Sequence, residues 1–232
     1  LSRPKHTKEE RERRSGPWMA SNVNTMAIFD DLRDCVDPSW MERIVTGTSE
    51  SCLLVLDTWS ELLSFLPESL IANADVVLKF LSWRLLVRPT PVLIDRLFNF
   101  VNDFISLLIE RSYTMTDYEL TVILTTLVKL SADPAYSVNV KMFYQALIAC
   151  ADQQQIMVLL MGSLDDSNAL VVETTLVFFR EMMDMPAVQQ SIHSNLARII
   201  RLVDHSSAKV RYHARLLCQE TLETGAITLR GF

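Results

Sequence analysis

Apolar residues recur at intervals of three or four along most of the chain. Four stretches show the spacing clearly: Phe98, Val101, Ile105 and Leu108; Leu120, Ile123, Leu124 and Leu127; Val172, Leu176, Phe179 and Met183; and Leu196, Ile199, Ile200 and Val203. Such spacing places the apolar side chains on one face of an α helix. No alternating strand pattern competes with it, and only 5 of the 232 residues are glycine. The sequence therefore predicts an all-α fold.

Residues that favour the start of a helix lie close to these apolar stretches. The segment "TDYE" begins at Thr116 and has the capping-box spacing, and Thr90-Pro91 and Asp133-Pro134 place a capping side chain before a proline. Ser49, Asp152 and Ser206 are further candidate caps. We predict ten helices, at 25–45 with a possible break at Asp37-Pro38, 50–66, 68–87, 90–111, 116–130, 134–150, 153–164, 167–185, 187–203 and 206–223.

Short connections between these helices require antiparallel neighbours. Taken as consecutive pairs, the helices turn near residues 47, 88, 133, 166 and 205, and the spacing of about 40 residues is typical of HEAT or armadillo units. We predict a HEAT-repeat α-solenoid of about five hairpins in one elongated paddle. The turns would then form a line of loops along one edge, suited to an elongated macromolecular partner.

Charge is unevenly distributed. Residues 1–14 hold six Lys or Arg and three Glu, whereas the whole chain has a net charge of −6. We expect residues 1–23 to be a basic flexible lead-in, 24–225 the folded domain, and 226–232 a tail or the start of a further helix. Because the body is acidic and has no basic face, nucleic acid is excluded as the main partner.

The four cysteines show neither disulfide nor zinc-site spacing, and no apolar run reaches 18 residues. These patterns predict reduced thiols and a soluble intracellular protein without a membrane partner. The isolated domain is expected to be a monomer.

Catalytic signals are poor. The histidines are His6, His193, His205 and His213, and no nucleophile elbow, zinc-protease motif or phosphate loop is present. The pair Asp165 and Asp166 precedes a helix, where acidic caps are ordinary. We predict no enzymatic activity, no cofactor and no metal site.

Trp59 and Trp83 lie on apolar helix faces and are expected in the core. Trp18, in "SGPWMAS", is instead expected to act as a docking residue of the lead-in.

The segment from Val76 to Pro134 resembles the middle of a TOG domain of the ch-TOG/Mini spindles microtubule polymerases, and is most similar to their fifth TOG domain. The matching residues are Lys79, Trp83, Arg84, Val92, Leu93, Leu107, Leu108, Tyr113, Thr116, Glu119, Asp133 and Pro134. "KEERERR" is similar to the family's charged lead-in, and "VDHSSAKVRYHA" to its "D…VR.aA" motif. The resemblance implies HEAT repeats whose loop edge contacts αβ-tubulin, in the cytoplasm and on microtubules, spindle or centrosome.

Only some of the family's loop residues have counterparts in this sequence. The first loop, "VTGTSE", lacks the usual tryptophan, although Trp40 lies shortly before it. The third-loop arginine falls near Asn139, and the fourth loop's lysines are replaced around Asp165 and Asp166. The fifth loop keeps its basic residues. Because tubulin is acidic, this pattern implies weak or lattice-directed binding.

The candidate partner-binding residues lie in or beside these loops: Thr46, Thr48, Arg88, Thr90, Asp133, Asn139, Asp166, Asn168, His205, Lys209 and Arg211. Arg211 has an alternative role, as an ion-pair partner of Asp165 or Asp166 in the neighbouring turn. A second interpretation of the whole chain is a scaffold that docks a centrosomal or kinetochore adaptor, or packs against neighbouring TOG domains.

Overall fold

The computed structural model describes residues 6–20, 22–46, 48–87 and 89–230. All regular secondary structure within these ranges is helical, which confirms the all-α prediction. The chain divides into two compact units, Leu1–Thr126 with Ala149–Ala151, and Leu127–Ile148 with Asp152–Phe232. None of the described helices is long and apolar enough to span a membrane.

The first unit contains seven complete helices and most of an eighth within its described residues. They are α1 (Lys8–Ser15), α2 (Thr25–Cys35), α3 (Pro38–Thr46), α4 (Ser49–Phe65), α5 (Pro67–Ile71), α6 (Ala74–Leu86), α7 (Pro91–Glu110) and α8 (Asp117–Leu130), within which the unit boundary falls. The described part of the second unit adds α9 (Ser137–Leu147), α10 (Gln153–Gly162), α11 (Ala169–Glu181), α12 (Pro186–Ser194), α13 (Leu196–Arg201) and α14 (Ala208–Arg230). Short 3₁₀ turns occupy Pro134–Tyr136, Ser163–Asp165 and Leu202–Asp204.

Two predicted helices are each broken at an asparagine. The prediction of 68–87 was wrong at Asn73, and that of 187–203 was wrong at Asn195. Each side-chain amide donates to the carbonyl four residues earlier, at Ser69 over 2.8 Å and at Ser191 over 2.9 Å. Such local bonds compete with the helical ladder and favour its interruption. The break anticipated at Asp37-Pro38 is confirmed, because α3 starts at the proline.

Aromatic side chains form the core of the first unit, where every residue from Ala74 to Leu85 is buried. The rings of Trp59 and Phe80 pack edge to face with centroids 5.0 Å apart. Trp83 packs against Phe29 with a centroid distance of 5.3 Å. Both tryptophans are therefore core residues, as predicted, and replacement of either by alanine would cost about 3 to 5 kcal/mol.

Helices α9, α10, α11 and α14 provide much of the second unit's core. Tyr144 and Phe178 pack with ring centroids 5.0 Å apart, and Val210 and Leu217 of α14 are fully buried. The stripe predicted from Leu196 to Val203 is only partly buried, since Ile200 is 52% exposed. The break at Asn195 leaves α13 only six residues long, too short to carry the full stripe.

The capping box predicted at Thr116 is present. Its hydroxyl accepts from the backbone N–H of Glu119 over 3.2 Å, and the Glu119 carboxylate accepts from the N–H of Thr116 over 2.9 Å. Asp133 and Asp152 likewise accept from backbone N–H groups two residues on. Thr48 is the N-cap of α4, and Ser206 lies two residues before α14. Helix-capping residues in the sequence therefore predict most helix starts to within two residues.

The flexible character expected of residues 1–23 was wrong for Lys8–Ser15. These residues form α1, whose Arg11 side chain is buried against Asp75 of α6. A charged residue is placed in a core only when a partner neutralises it, and Asp75 lies 64 positions away in sequence. The pairing of Arg11 with Asp75 could therefore not be predicted from the basic composition of the segment. The domain boundaries themselves stay predictions.

Candidate functional site

The predicted loop residues fall in both units. Thr48 and Thr90 belong to the first, and the second contains Asp133, Asn139, Asp166, Asn168, His205, Lys209 and Arg211. Arg88 lies outside the described residues, and Thr46 ends α3 with a side chain that also lies outside them.

In the first unit the two described loop threonines differ. Thr48 caps α4, because its hydroxyl accepts from the Ser51 N–H over 3.1 Å. Thr90 occupies the N-cap position of α7 before Pro91 but makes no side-chain cap bond. Its side chain is exposed. Thr90 is therefore the better placed of the two to contact a partner.

Three predicted residues of the third and fourth loops have capping roles. Asp133 accepts from the N–H of Ala135 over 3.0 Å, Asp166 from that of Asn168 over 2.7 Å, and Asn168 from that of Leu170 over 2.9 Å. Asn139 lies within α9 and is half-buried. The side chains of Asp133, Asp166 and Asn168 shape the loops through local hydrogen bonds, which accounts for their polarity without a ligand.

The fifth loop is held together by its own side chains. The His205 ring accepts from the backbone N–H of Ser207 over 3.0 Å, before the start of α14. The Arg211 guanidinium donates to the carbonyls of His205 and Ser206, each over 2.8 Å. Arg211 therefore fixes the loop to the first turn of α14, and its positive charge satisfies carbonyls of that loop.

Lys209 presents its ammonium group to solvent beside this loop. Its side chain is 75% exposed, and its nearest carboxylate is Glu173 of α11, 3.5 Å away. An ion pair of this length at the surface restrains the lysine weakly. Of the two basic residues predicted in the fifth loop, Lys209 is the one available to a partner.

Arg198, not Arg211, pairs with the fourth loop. The Arg198 guanidinium donates through two nitrogens to the carboxylate of Asp165, with an Nε to Oδ1 distance of 3.0 Å. The alternative role considered for Arg211 was wrong, because its guanidinium donates to the carbonyls of its own loop and Arg198 pairs with Asp165 instead. Asp165 is therefore partly neutralised, which reduces the acidity expected of the fourth loop.

Arg198 and the exposed Arg201 were missed by sequence reasoning. Both lie in the last turn of α13, just before the fifth loop. The signal was present as "RIIR", because basic residues in a final helical turn face its carbonyl end. With Lys209 and Arg211, they give the described fifth-loop region four basic side chains.

His213 lies one turn beyond Lys209 on α14. Partial burial and the neighbouring Arg180 guanidinium lower the pKa of His213 below its ordinary value. The Arg180 Nη1 and His213 Nδ1 atoms are 3.4 Å apart, and Arg180 also pairs with Glu220. This cluster joins α11 to α14, and it favours the neutral form of the imidazole.

Comparison with solved structures identifies the fold. The chain is similar to one from a structure reported as "TOG-tubulin binding specificity promotes microtubule dynamics and mitotic spindle formation", at 19% identity and TM-score 0.76 over 93% of this chain and 90% of that one. It is also similar to the TOG domain of Zyg9 from C. elegans, at 16% identity and TM-score 0.79 over 92% and 84%. These matches confirm the HEAT-type TOG fold class.

At the level of sequence, neither a protein-family model nor a curated protein matches the chain.

Proposed function

We propose that this chain is a non-enzymatic, microtubule-associated TOG-like domain, which contacts αβ-tubulin or the microtubule lattice through the loops within its helical hairpins. The proposal rests on one observation: a fold shared with TOG structures along more than nine-tenths of the chain includes an exposed lysine in its fifth loop. Similarity of fold alone does not assign a partner. The basic side chains at the fifth loop support the choice of an acidic partner.

Binding is proposed to be weak and salt-dependent. The chain has a net charge of −6, so long-range attraction to an acidic partner is small. Asp133 and Asp166 are exposed on the loops of the second unit. A few basic groups at the rim of an interface then determine the rate of encounter, and salt screens them. The domain would contribute to microtubule growth by acting on the lattice rather than by capturing free tubulin.

The test compares binding to microtubules by co-sedimentation with binding to free tubulin by gel filtration, each at low and physiological salt. Lys209→Ala removes the exposed charge and leaves the loop bonds of Arg211 intact, and Lys209→Ala/Arg211→Ala removes both charges. Arg33→Ala, on the exposed face of α2, is the matched control for loss of one charge. Loss of binding with Lys209→Ala alone would support a direct contact. Absence of binding by the wild-type chain, or equal binding by every variant, would refute the loop mechanism.

A second candidate is a scaffold that docks a centrosomal or kinetochore adaptor or a neighbouring domain. It is favoured by the end of α4, where Phe65 is 81% exposed and Leu66 60% exposed. Adjacent exposed apolar side chains are common at protein interfaces. A stoichiometric non-tubulin partner, lost with Phe65→Ser and retained with Lys209→Ala, would decide for this candidate. We also propose cytoskeletal localisation, at microtubules, spindle or centrosome, and a monomeric isolated domain.

A further inference from the structure

Helix α1 is attached to the first unit through charged and polar side chains. Its sequence, "KEERERRS", contains no apolar side chain. Thr7 and Glu10 form a capping box at its start, and its side chains make ion pairs and hydrogen bonds to α2, α6 and α8. The Lys8 ammonium also lies 5.0 Å from the centre of the Tyr113 ring. Docking therefore gains little from the hydrophobic effect, which stabilises most helices in folded proteins.

The central contact is a buried pair. The Arg11 guanidinium donates to both carboxylate oxygens of Asp75, over 2.7 and 3.0 Å, and both side chains are almost fully buried. Lys8 pairs with the buried Glu119 over 2.7 Å, and Glu12 accepts from the Thr116 hydroxyl over 2.8 Å. Lys8 and Arg11 thus occupy a cleft lined by carboxylates.

Opening of α1 exposes the one buried residue of this helix, Arg11, together with the Asp75 carboxylate that it pairs with. The desolvation cost of a buried ion pair offsets much of its attraction, and release returns Arg11 to water. An isolated eight-residue helix is unstable, so α1 would become an extended segment on release. Gly16, at φ 66°, follows the helix and provides a hinge at which a side chain would be strained.

Ser15, the last residue of α1, lies where this attachment is most sensitive to charge. Its hydroxyl donates to the Asp31 carboxylate over 2.8 Å and accepts from the Lys79 ammonium over 2.9 Å. Asp31 and Lys79 are almost fully buried and form an ion pair of 2.6 Å. A phosphate on Ser15 would place up to two negative charges against Asp31 and at the negative end of the α1 dipole, both of which disfavour docking.

We propose that Ser15 is a phosphorylation site, and that its modification releases α1 from the first unit. Arg13 and Arg14 precede Ser15 and are exposed, and Arg11 joins them once α1 opens. Such a basic run fits a protein kinase with an acidic substrate groove, since kinases select substrates by charge pattern. The Ser15 oxygen bonds to the γ-phosphorus of ATP, the bond to the β–γ bridging oxygen breaks, ADP leaves, and the hydroxyl proton passes to a kinase carboxylate.

Release is maintained after transfer by the cleft itself. Without α1, the ion pairs that remain to Asp31 and Asp75 among the described residues are those of Lys79, and Glu119 loses its pair with Lys8, which leaves an excess of negative charge. A phosphorylated segment is repelled by that excess of negative charge. Trp18, beyond the Gly16 hinge, lines a small cavity together with Ser15, Ala27 and Ile28.

The test uses the full chain with phosphoserine incorporated at position 15 during synthesis. Hydrogen exchange of the amides in 8–15 is measured by mass spectrometry beside the unmodified chain. We expect exchange about tenfold or more faster in the phosphorylated chain, with the α6 and α7 amides unchanged, because only the local opening equilibrium shifts. Phosphoserine at position 106, an exposed residue of α7, is the control for added charge and should leave exchange in 8–15 unchanged.

The acceptor role is tested separately. The unmodified chain and Ser15→Ala are incubated with ATP, Mg²⁺ and a purified kinase that has an acidic substrate groove, and the modified residues are mapped. Phosphate on Ser15, absent from Ser15→Ala, supports the proposal. Failure of Ser15 to accept phosphate overturns it, as does equal protection of α1 with and without phosphoserine 15, or equal acceleration by phosphoserine 106.

Discussion

Two basic segments of this chain have opposite roles. Arg11 of "KEERERR" is buried against Asp75, whereas Lys209 of "DHSSAKVR" is 75% exposed and only weakly paired. Both segments look alike in sequence, and the lead-in is the more basic of the two. The difference lies in what the fold places opposite each side chain. Basic residues facing buried carboxylates hold structure together, and basic residues facing solvent remain available for an acidic partner.

The largest expected change in the free energy of unfolding distinguishes a buried lysine from an exposed one. Lys79→Met leaves Asp31 and Asp75 buried with one cation fewer, and should lower the free energy of unfolding by about 3 to 5 kcal/mol. Lys209→Met, the matched exposed variant, should change it by less than about 0.5 kcal/mol. Urea unfolding measures both. Similar losses for the two variants would contradict the distinction drawn between buried and exposed basic residues.

A smaller difference in the free energy of unfolding is expected between variants of the two basic residues of the fifth loop. Arg211→Ala removes two charge-assisted hydrogen bonds to loop carbonyls and should cost about 1 kcal/mol of unfolding free energy. Lys209→Ala should leave stability unchanged. Thermal unfolding of the two variants at the same salt concentration shows which is the more stable. A lower stability of Lys209→Ala would contradict the roles given to the two residues.

The ion pair that neutralises the fourth loop should contribute less. Arg198 and Asp165 form a surface pair, with the aspartate side chain 72% exposed. A double-mutant cycle of Arg198→Met and Asp165→Asn should give a coupling energy below about 1 kcal/mol, which decreases as salt is added. A larger, salt-independent coupling would mean that the pair is a structural element like Arg11 and Asp75.

The smallest expected effect concerns pH. Because the folded-state pKa of His213 lies below its unfolded value, the unfolded chain binds more protons between the two values. Stability from this group is present above the unfolded pKa, near 6.5, and decreases as pH falls toward the folded pKa. His213→Gln should therefore show a smaller loss of melting temperature between pH 7 and 5.5 than the wild-type chain. Parallel pH profiles would show that His213 does not contribute.

Sequence patterns predicted the helices well where apolar spacing and local caps decided the structure. The core positions of Trp59 and Trp83 followed from helical period, and the cap at Thr116 from a four-residue motif. The breaks at Asn73 and Asn195 were missed, because asparagine is tolerated within helices and interrupts them only when its amide takes a local carbonyl.

The candidate site was less predictable than the fold. Position in a loop correctly marked Lys209 as exposed, but it could not distinguish partner contact from capping for Asp133, Asp166 and Asn168. The pairing of Arg198 with Asp165 depends on residues 33 positions apart, and that of Arg11 with Asp75 on residues 64 apart. Neither has a local signal, because tertiary packing alone brings the partners together.

Microtubule co-sedimentation of two charge-reversed variants tests the central claim most directly. Lys209→Glu and Arg33→Glu each reverse one exposed charge, the first beside the fifth loop and the second on α2, where Arg33 pairs with Asp30. We expect that Lys209→Glu loses most microtubule binding at low salt and that Arg33→Glu retains it. Equal affinities for the two variants would contradict the assignment of the exposed lysine to the partner contact.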